Sequence, residues 1–247
     1  MVEGSGGKPT GWEIDERVER LFATALHDIR NPLNSASLYA QLLVQHFGKD
    51  MAGEPMRIAT EIPRQLRKAR RVLDGIQRFI DVVSTPTAHD LVPLEKALDS
   101  AIKSLEPEFR DWNGRVERET LPCVRGNSGQ LHELFKEILS NALRFGGGEH
   151  PLILITCLSS ESGCTITVRD TGLGFEPAYA AEIFEPFKKL HDHERSGAGL
   201  GLAFCREVLS RHGGSIWAES KLGEGSVFHL KFPPTSDPLH PPEGESP

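Results

Sequence analysis

The stretch His27-Asp28-Ile29-Arg30-Asn31-Pro32 sets an imidazole beside a carboxylate, places an asparagine one helical turn further on, and follows it with a proline. Imidazole changes charge near neutrality, and its neutral form offers one nitrogen as nucleophile and the other as hydrogen-bond donor. By itself, such a histidine is equally a solvated side chain on a helix surface. A chemical role needs a group donor elsewhere in the chain.

Four clusters supply a nucleotide-like pattern. Asp170-Thr171-Gly172-Leu173-Gly174 follows a strand-like run, where a carboxylate can accept a hydrogen bond from an adenine amino group and glycines let backbone approach a ligand. Gly197-Ala198-Gly199-Leu200-Gly201-Leu202 leads into a helix, where free N–H groups and the helix dipole favour phosphate. It has the look of a dinucleotide fingerprint, but no βαβ unit surrounds it, so a Rossmann site is rejected. Gly223-Glu224-Gly225-Ser226-Val227-Phe228 is a third glycine pair, on its own a hairpin turn. In Glu137-Ile138-Leu139-Ser140-Asn141-Ala142-Leu143-Arg144-Phe145, Glu137 and Asn141 stand four apart and share a helix face. Oxygens so placed suit a Mg2+ that keeps several waters and bridges ATP phosphates, and Arg144 beside them could contact phosphate. Singly, each cluster is also an ordinary turn or a solvated polar face. Together they fall in one order within about 90 residues.

The elements that must position these residues show in the periodicity. From Trp12 to about Phe47, Phe22, Ala25, Ile29, Leu33, Ala36, Ala40 and Leu43 recur at steps of three and four, as in an amphipathic helix. At about 100° per residue His27 lies opposite that stripe, so the stripe is expected to be buried and His27 to face solvent. Pro32 is expected to kink the helix just after the histidine. Gly48 to Glu54 is a turn, and Pro55 to Val83 a second helix, with Pro63 expected to shift its start or bend it. Two such helices form an antiparallel hairpin with too little surface to cover both stripes. A second copy would complete a four-helix bundle, so a homodimer is expected, the alternative being a hairpin docked on the downstream domain of the same chain.

Ser84 to Asp90 breaks the pattern as a linker. After it, Leu94 to Leu105, Ser128 to Phe145 and Leu200 to His212 are expected helices. Arg115 to Glu119, Cys123 to Arg125, Pro151 to Leu158 and Cys164 to Asp170 are expected strands, and Ser215 to Glu219 with Ser226 to Phe232 a closing hairpin. The fold class is therefore α + α/β: a helical hairpin, then an α/β sandwich with one mixed sheet. The expected division is 1–11 flexible, 12–85 helical, 86–233 α/β, and 234–247 a disordered tail rich in Pro, Glu, Ser and Gly.

Composition narrows the function. A net charge of -7 leaves no basic excess to neutralise phosphates, which argues against a general nucleic-acid binder. Four cysteines without CxxC spacing read as reduced thiols of a cytoplasmic protein. No apolar run approaches the roughly 18 residues that span a bilayer, and residues 1–11 have no apolar core of a signal peptide.

The ordered motifs resemble the transmitter portion of a sensor histidine kinase of two-component systems, over about residues 14 to 233. His27 to Pro32 is similar to that family's phosphoacceptor box, Glu137 to Phe145 to its N box, and Asp170 to Gly174 to its first glycine box. Ile183-Phe184-Glu185-Pro186-Phe187 is similar to the F box, and Gly197 to Gly201 and Gly223 to Phe228 to the other glycine boxes. The resemblance implies a dimerisation and phosphotransfer domain followed by a Bergerat-type ATP-binding domain. It implies ATP and Mg2+ as cofactors, a response-regulator receiver domain as partner in trans, and transfer of the γ-phosphoryl group to His27 and then to an aspartate. Asp28 would orient the imidazole, and Asn31 would orient a phosphoryl oxygen or a water and support phosphatase activity. Asn141 would hold Mg2+, Asp170 would read adenine, and Gly172 and Gly174 would give clearance around the base. Gly197, Gly199, Leu200 and Gly201 would flank the triphosphate, and Lys189 would touch phosphate from a lid over Lys188 to Ala198. Phe184 and Phe187 are either latches for that lid or core. Asn34, Leu38 and Tyr39 would lie on the docking face.

Departures from the family pattern carry information. Asp28 stands where Glu is more common, Arg144 for Lys and Phe145 for Tyr. Glu137 replaces a usual Asn, and related ATPases use Glu there to activate water, so Glu137 is either a further Mg2+ or base element or a hydrolytic liability. A Bergerat ATPase would explain Glu137 but not His27, Asp28 and Pro32. A degenerate scaffold would not need intact glycine boxes.

Overall fold

A computed structural model of the chain describes residues 16–48, 53–85, 90–146, 150–190 and 198–235, with backbone alone for 16–25 and Asp28. The chain forms two compact units, dividing after Pro86, with Pro186–Phe204 returning to the first.

The first unit is built on two long helices, α1 (Glu16–Phe47) and α2 (Glu54–Ser84). Pro55 occupies the first turn of α2, where its missing N–H costs no helical bond. Pro63 therefore does not set the start, as the sequence suggested it might; it lies buried well inside the helix. Pro32 is likewise interior, and α1 continues through it as one helix. The ring is exposed, so solvent can serve the carbonyl the proline leaves.

Leu26 of α1 packs with Leu73 and Ile80 of α2, joined by Leu33 and Ile76. Arg30 Nη2 meets Asp74 Oδ1 at 3.0 Å beside them. Among the described side chains of α1 the buried line is Leu26 and Ala40 with Leu33 partly covered, a step of seven. Within one chain the rest of the expected stripe stays open, as its shortage of partner surface implied: Ile29 remains 48% exposed and Leu43 38%, and Ala36 is exposed too, while Phe22 and Ala25 lie outside the described side chains. One antiparallel partner covers a narrow seam of a helix, not a stripe of 100° or more. Leu38, Tyr39 and Phe47 on α1 and Ile58 on α2 are also exposed.

The second unit holds two sheets. β1 (Asp90–Pro93) pairs antiparallel with β3 (Cys123–Gly126). The main sheet contains β2 (Arg115–Arg118), β4 (Leu152–Ser160), β5 (Gly163–Asp170), β6 (Ser215–Lys221) and β7 (Gly225–Phe232), in the order β2-β4-β5-β7-β6. β2 and β4 run parallel and the other neighbours antiparallel, so the sheet is mixed as expected. The helices are α3 (Leu94–Ser104), α4 (Glu106–Asp111), α5 (Ser128–Phe145) and α6 (Gly201–Arg211), the last beginning in the first unit and ending in the second. Sequence periodicity missed β1 and α4, which are too short to show a period.

Alternation along the strands buries Ile153, Ile155, Ile166, Val168, Phe228, Leu230 and Phe232 on one face. α5 contributes Leu131, Leu134, Phe135, Ile138 and Leu139, all fully buried, and α3 contributes Leu94 and Leu98. Each such side chain contributes about 1.5–3 kcal/mol to folding. Three hydrogen bonds meet at Asn127 and tie helix ends together: its side chain caps α5 by accepting from Gly129 and Gln130 N–H, and its own N–H donates to His212 Nε2 at 3.0 Å. His212 Nδ1–H donates to Val208 O at 2.7 Å.

Candidate nucleotide-binding and phosphoacceptor sites

The period of two that buries Ile166 and Val168 also turns Asp170 inward, at the last position of β5. Its Oδ1 accepts the N–H of Gly172 at 2.8 Å and of Ser226 at 3.1 Å. Burial raises its pKa above the ordinary carboxylate value, and the two backbone donors offset part of that rise. Oδ2 is the oxygen that an exocyclic amine could approach.

The glycines here make backbone-on-backbone contact possible. A Cβ on Gly172 would lie 2.4 Å from the Phe145 carbonyl oxygen, and one on Gly225 2.1 Å from the Asp170 carbonyl oxygen. Leu173 N–H donates to Phe145 O at 2.9 Å, so α5 ends against the turn after Asp170. Gly174, at φ 62°, sits against the Lys221 carbonyl. Ser220 Oγ accepts the N–H of Phe175 and donates to Gly225 O, tying the third glycine pair to the first. Sequence reasoning missed Ser220 and the partner of Ser226, because only the β5–β7–β6 register brings them to Asp170.

α5 presents its apolar face to the core and leaves Glu137, Asn141 and Arg144 half-buried. Arg144 Nη2 donates to Ser140 Oγ at 3.2 Å. Among the described residues no three His, Cys, Asp or Glu side chains cluster as a metal site. Glu137 and Asn141 offer two oxygen donors on one helix face, which fits a Mg2+ that takes its other ligands from water and phosphate.

In the first unit, Gly199 (φ 76°) and Leu200 lead into α6 at Gly201. Leu200 is buried beside α2, where a Cβ on Gly75 would stand 3.0 Å from its Cδ1. Arg78 lies over the Phe204 ring at 6.0 Å. Lys189 is half-buried, and Gly197 lies outside the described residues. The two F-box phenylalanines part company: Phe184 is buried in the second unit, whereas Phe187 is 57% exposed, so it is not core.

On α1, His27 is exposed, flanked by buried Leu26 and half-buried Arg30, with exposed Asn31 one turn on. Asn34, Leu38 and Tyr39 continue the exposed surface. The Asp28 side chain is not among those described.

Residues 17–84 match the family model described as the His Kinase A (phospho-acceptor) domain. Residues 126–236 match the Histidine kinase-, DNA gyrase B-, and HSP90-like ATPase. The chain belongs to the histidine kinase family.

Among similar kinase-family proteins, cyanobacterial phytochrome A of Nostoc sp. strain PCC 7120 is 32% identical over 217 residues, 87% of this chain and 28% of that protein. The adaptive-response sensory kinase SasA of Synechococcus elongatus is 26% identical over 240 residues, 90% of this chain and 61% of that protein. The chain thus spans less than two thirds of these curated relatives. ShkA, solved full-length in complex with AMPPNP, has the same fold at a TM-score of 0.64 and 24% identity, covering 90% of this chain and 47% of that one. ThkA, solved in complex with the response regulator protein TrrA, superposes at 0.60 with 18% identity, covering 89% of this chain and 65% of that one. These likenesses establish the helical hairpin and α/β sandwich as a histidine kinase fold. Among the described residues no helix is long and apolar enough to cross a membrane.

Proposed function

We propose that this chain is a kinase core that phosphorylates His27 from ATP and passes the phosphoryl group to an aspartate of a response-regulator receiver domain. The observation that carries this reading is the exposed His27 on a helix matching the phospho-acceptor family, in one chain with the Asp170 turn of a kinase-type ATPase domain. In the first reaction Nε2 of neutral His27 attacks the γ-phosphorus, the bond from that phosphorus to the bridging oxygen of ADP breaks, and ADP leaves. Such transfer depends on positioning and charge stabilisation more than on covalent help from the protein. Asp28 accepts from Nδ1–H and fixes the tautomer. Asn31 orients a phosphoryl oxygen or, in a phosphatase reaction toward the partner, a water.

Asp170 accepts from the adenine amino group through Oδ2. Gly172 and Gly174 shape the turn beside the base, and Arg144, Lys189, Gly197, Gly199, Leu200 and Gly201 contact the phosphates. Mg2+, held by Asn141 and more weakly by Glu137, supplies charge neutralisation on those phosphates. Residues 12–85 are the dimerisation and phosphotransfer domain and 86–233 the catalytic domain. The open apolar face of Ile29, Ala36 and Leu43 is covered by a second copy in a four-helix bundle. The partner docks on the surface of Asn34, Leu38 and Tyr39, and the core works in the cytoplasm.

The test is incubation with γ-labelled ATP and Mg2+, scoring acid-labile, base-stable protein phosphate in wild type and His27→Gln. Label on wild type alone supports the kinase. Phosphate released without labelled protein would replace it with an ATPase, and neither product would leave a scaffold.

A further inference from the structure

Phe187 is an oddity that the proposed reaction does not use. Its φ is 64°, in the left-handed region where only Asn113 joins it among the described non-glycine residues. A bulky residue there is strained, because its Cβ crowds the following carbonyl oxygen. Strain of this kind persists where packing compensates it, yet the Phe187 side chain is 57% exposed, so burial of the ring is a weak return.

The return lies in the backbone. The left-handed turn aims Phe187 N–H at the carbonyl oxygen of Gly199, at 2.7 Å. Gly199 is itself left-handed at φ 76°, and a Cβ there would lie 2.9 Å from Phe187 C and 3.0 Å from the Lys188 carbonyl oxygen. Two left-handed residues, one strained and one glycine, thus bring residue 187 against the start of the glycine segment. Two residues on from Gly199, α6 begins, and Phe204 N–H already bonds back to Leu200 O. The clasp therefore holds the glycine segment at the point where it enters the helix.

We infer that the Phe187–Gly199 backbone clasp fixes the presentation of Gly199-Leu200-Gly201 to the phosphates of ATP, making Phe187 a positioning residue that acts through its backbone conformation and not its ring. The inference rests on the reading of Gly199 to Gly201 as phosphate-binding. A residue that tolerates φ > 0 should replace Phe187 even without a ring, because Gly and Asn enter that region at little cost. An unbranched apolar residue bears the same left-handed cost as Phe and should match it, whereas a β-branched one bears more and should fail.

The experiment uses the full chain with Phe187→Gly, Phe187→Asn, Phe187→Leu and Phe187→Val. KM for ATP and kcat are measured by autophosphorylation, Tm is followed in parallel, and amide hydrogen exchange reads residue 187 in the absence of nucleotide. Phe187→Asn is expected to stay within about twofold of wild-type KM, with Phe187→Gly close behind. Phe187→Leu, unbranched at Cβ like Phe, is expected to stay near wild type, and the β-branched Phe187→Val to raise KM about tenfold and to speed exchange at residue 187, because β-branching adds to the left-handed cost that Phe already bears. Gly199→Ala should raise KM as Phe187→Val does, and the double variant should add little, since both remove one clasp. The inference is overturned if KM follows the ring, with Phe187→Leu, Phe187→Gly and Phe187→Asn all as poor as Phe187→Val. A purely structural role would lower Tm in step with KM across all four, which overturns it as well. Wild-type protein that binds no ATP would overturn both the inference and the nucleotide reading, whereas ring-ordered KM values overturn the inference alone.

Discussion

Ser226 donates its backbone N–H to Asp170 Oδ1 across 3.1 Å, joining the head of β7 to the tail of β5. Gly172 donates to the same oxygen from the other side. The carboxylate is thus held as an acceptor at a fixed angle, which is what selective recognition of an amine requires.

Asp170→Asn tests that arrangement. The amide oxygen can keep both backbone bonds, but the NH2 group replaces the acceptor that faces the base. ATP affinity is expected to fall tenfold to about 100-fold by titration calorimetry, the loss of a hydrogen bond to a charged group, with native circular dichroism. Stability should move the other way. Burial raises the Asp170 pKa, so folding favours the protonated form. The favourable contribution is complete below the unfolded value and is lost as pH rises through the folded one. The advantage of Asp170→Asn in Tm should therefore grow with pH over that window, while wild-type ATP affinity rises over the same window as the acceptor ionises.

Gly225 and Gly223 are both left-handed, at φ 87° and 80°, but their surroundings differ. A Cβ at Gly225 would strike the Asp170 carbonyl oxygen at 2.1 Å; one at Gly223 meets nothing within 4 Å. Gly223→Ala is expected to cost about 1 kcal/mol, the left-handed penalty alone. Gly225→Ala should cost about 2–4 kcal/mol and displace Asp170, because backbone must move. Urea denaturation orders the two, and equal costs would contradict the contact.

His212 is buried with both ring nitrogens engaged, Nδ1–H to Val208 O and Nε2 from Asn127 N–H. It connects the end of α6 to the cap of α5, and Gly126 makes room for its ring. His212→Ala should destabilise the α/β unit by about 2–4 kcal/mol through a cavity and an orphaned amide. Asn127→Ala, which removes the cap side chain but keeps that amide, should cost about 1 kcal/mol. Chemical denaturation of the two variants checks the difference.

The open face of α1 makes a prediction about assembly. Ile29 and Leu43 sit fourteen residues apart on one line, each more than a third exposed. Ile29→Asn with Leu43→Asn removes two apolar contacts per copy without touching the Leu26 seam. The proposed dimer is expected to weaken, its dissociation constant rising at least about 100-fold by sedimentation, at roughly 1.4 kcal/mol per decade.

Helices of 31 and 32 residues and the strands around Asp170 were legible because long periods and turn residues survive in one dimension. The stripe on α1 was legible as apolar but not as two lines, since Leu26 and Ile29 differ by only 60° on the helix and a partner decides which is covered. Asp170 announced itself through its glycines. Its donor Ser226 stands 56 residues away and was placed by strand pairing. Phe187 was legible only as latch or core: its left-handed φ and exposed ring are products of the chain around it, which residue type does not carry.

Glu137 raises the last question, whether the proposed kinase core also spends ATP on water. It is half-buried on α5 one turn before Asn141, with oxygen atoms on the face proposed for Mg2+. A carboxylate there can orient and deprotonate a water, a contribution of about 10²–10⁴-fold where it operates. Glu137→Gln keeps the size and one acceptor oxygen while removing the base. If Glu137 serves as base, ADP release without protein labelling should fall at least about tenfold, while the initial rate of His27 labelling holds. If it serves Mg2+ instead, labelling should fall too, and raising the Mg2+ concentration should restore it. Unchanged labelling together with unchanged ATP turnover would remove Glu137 from the site and leave it a polar residue on the helix surface.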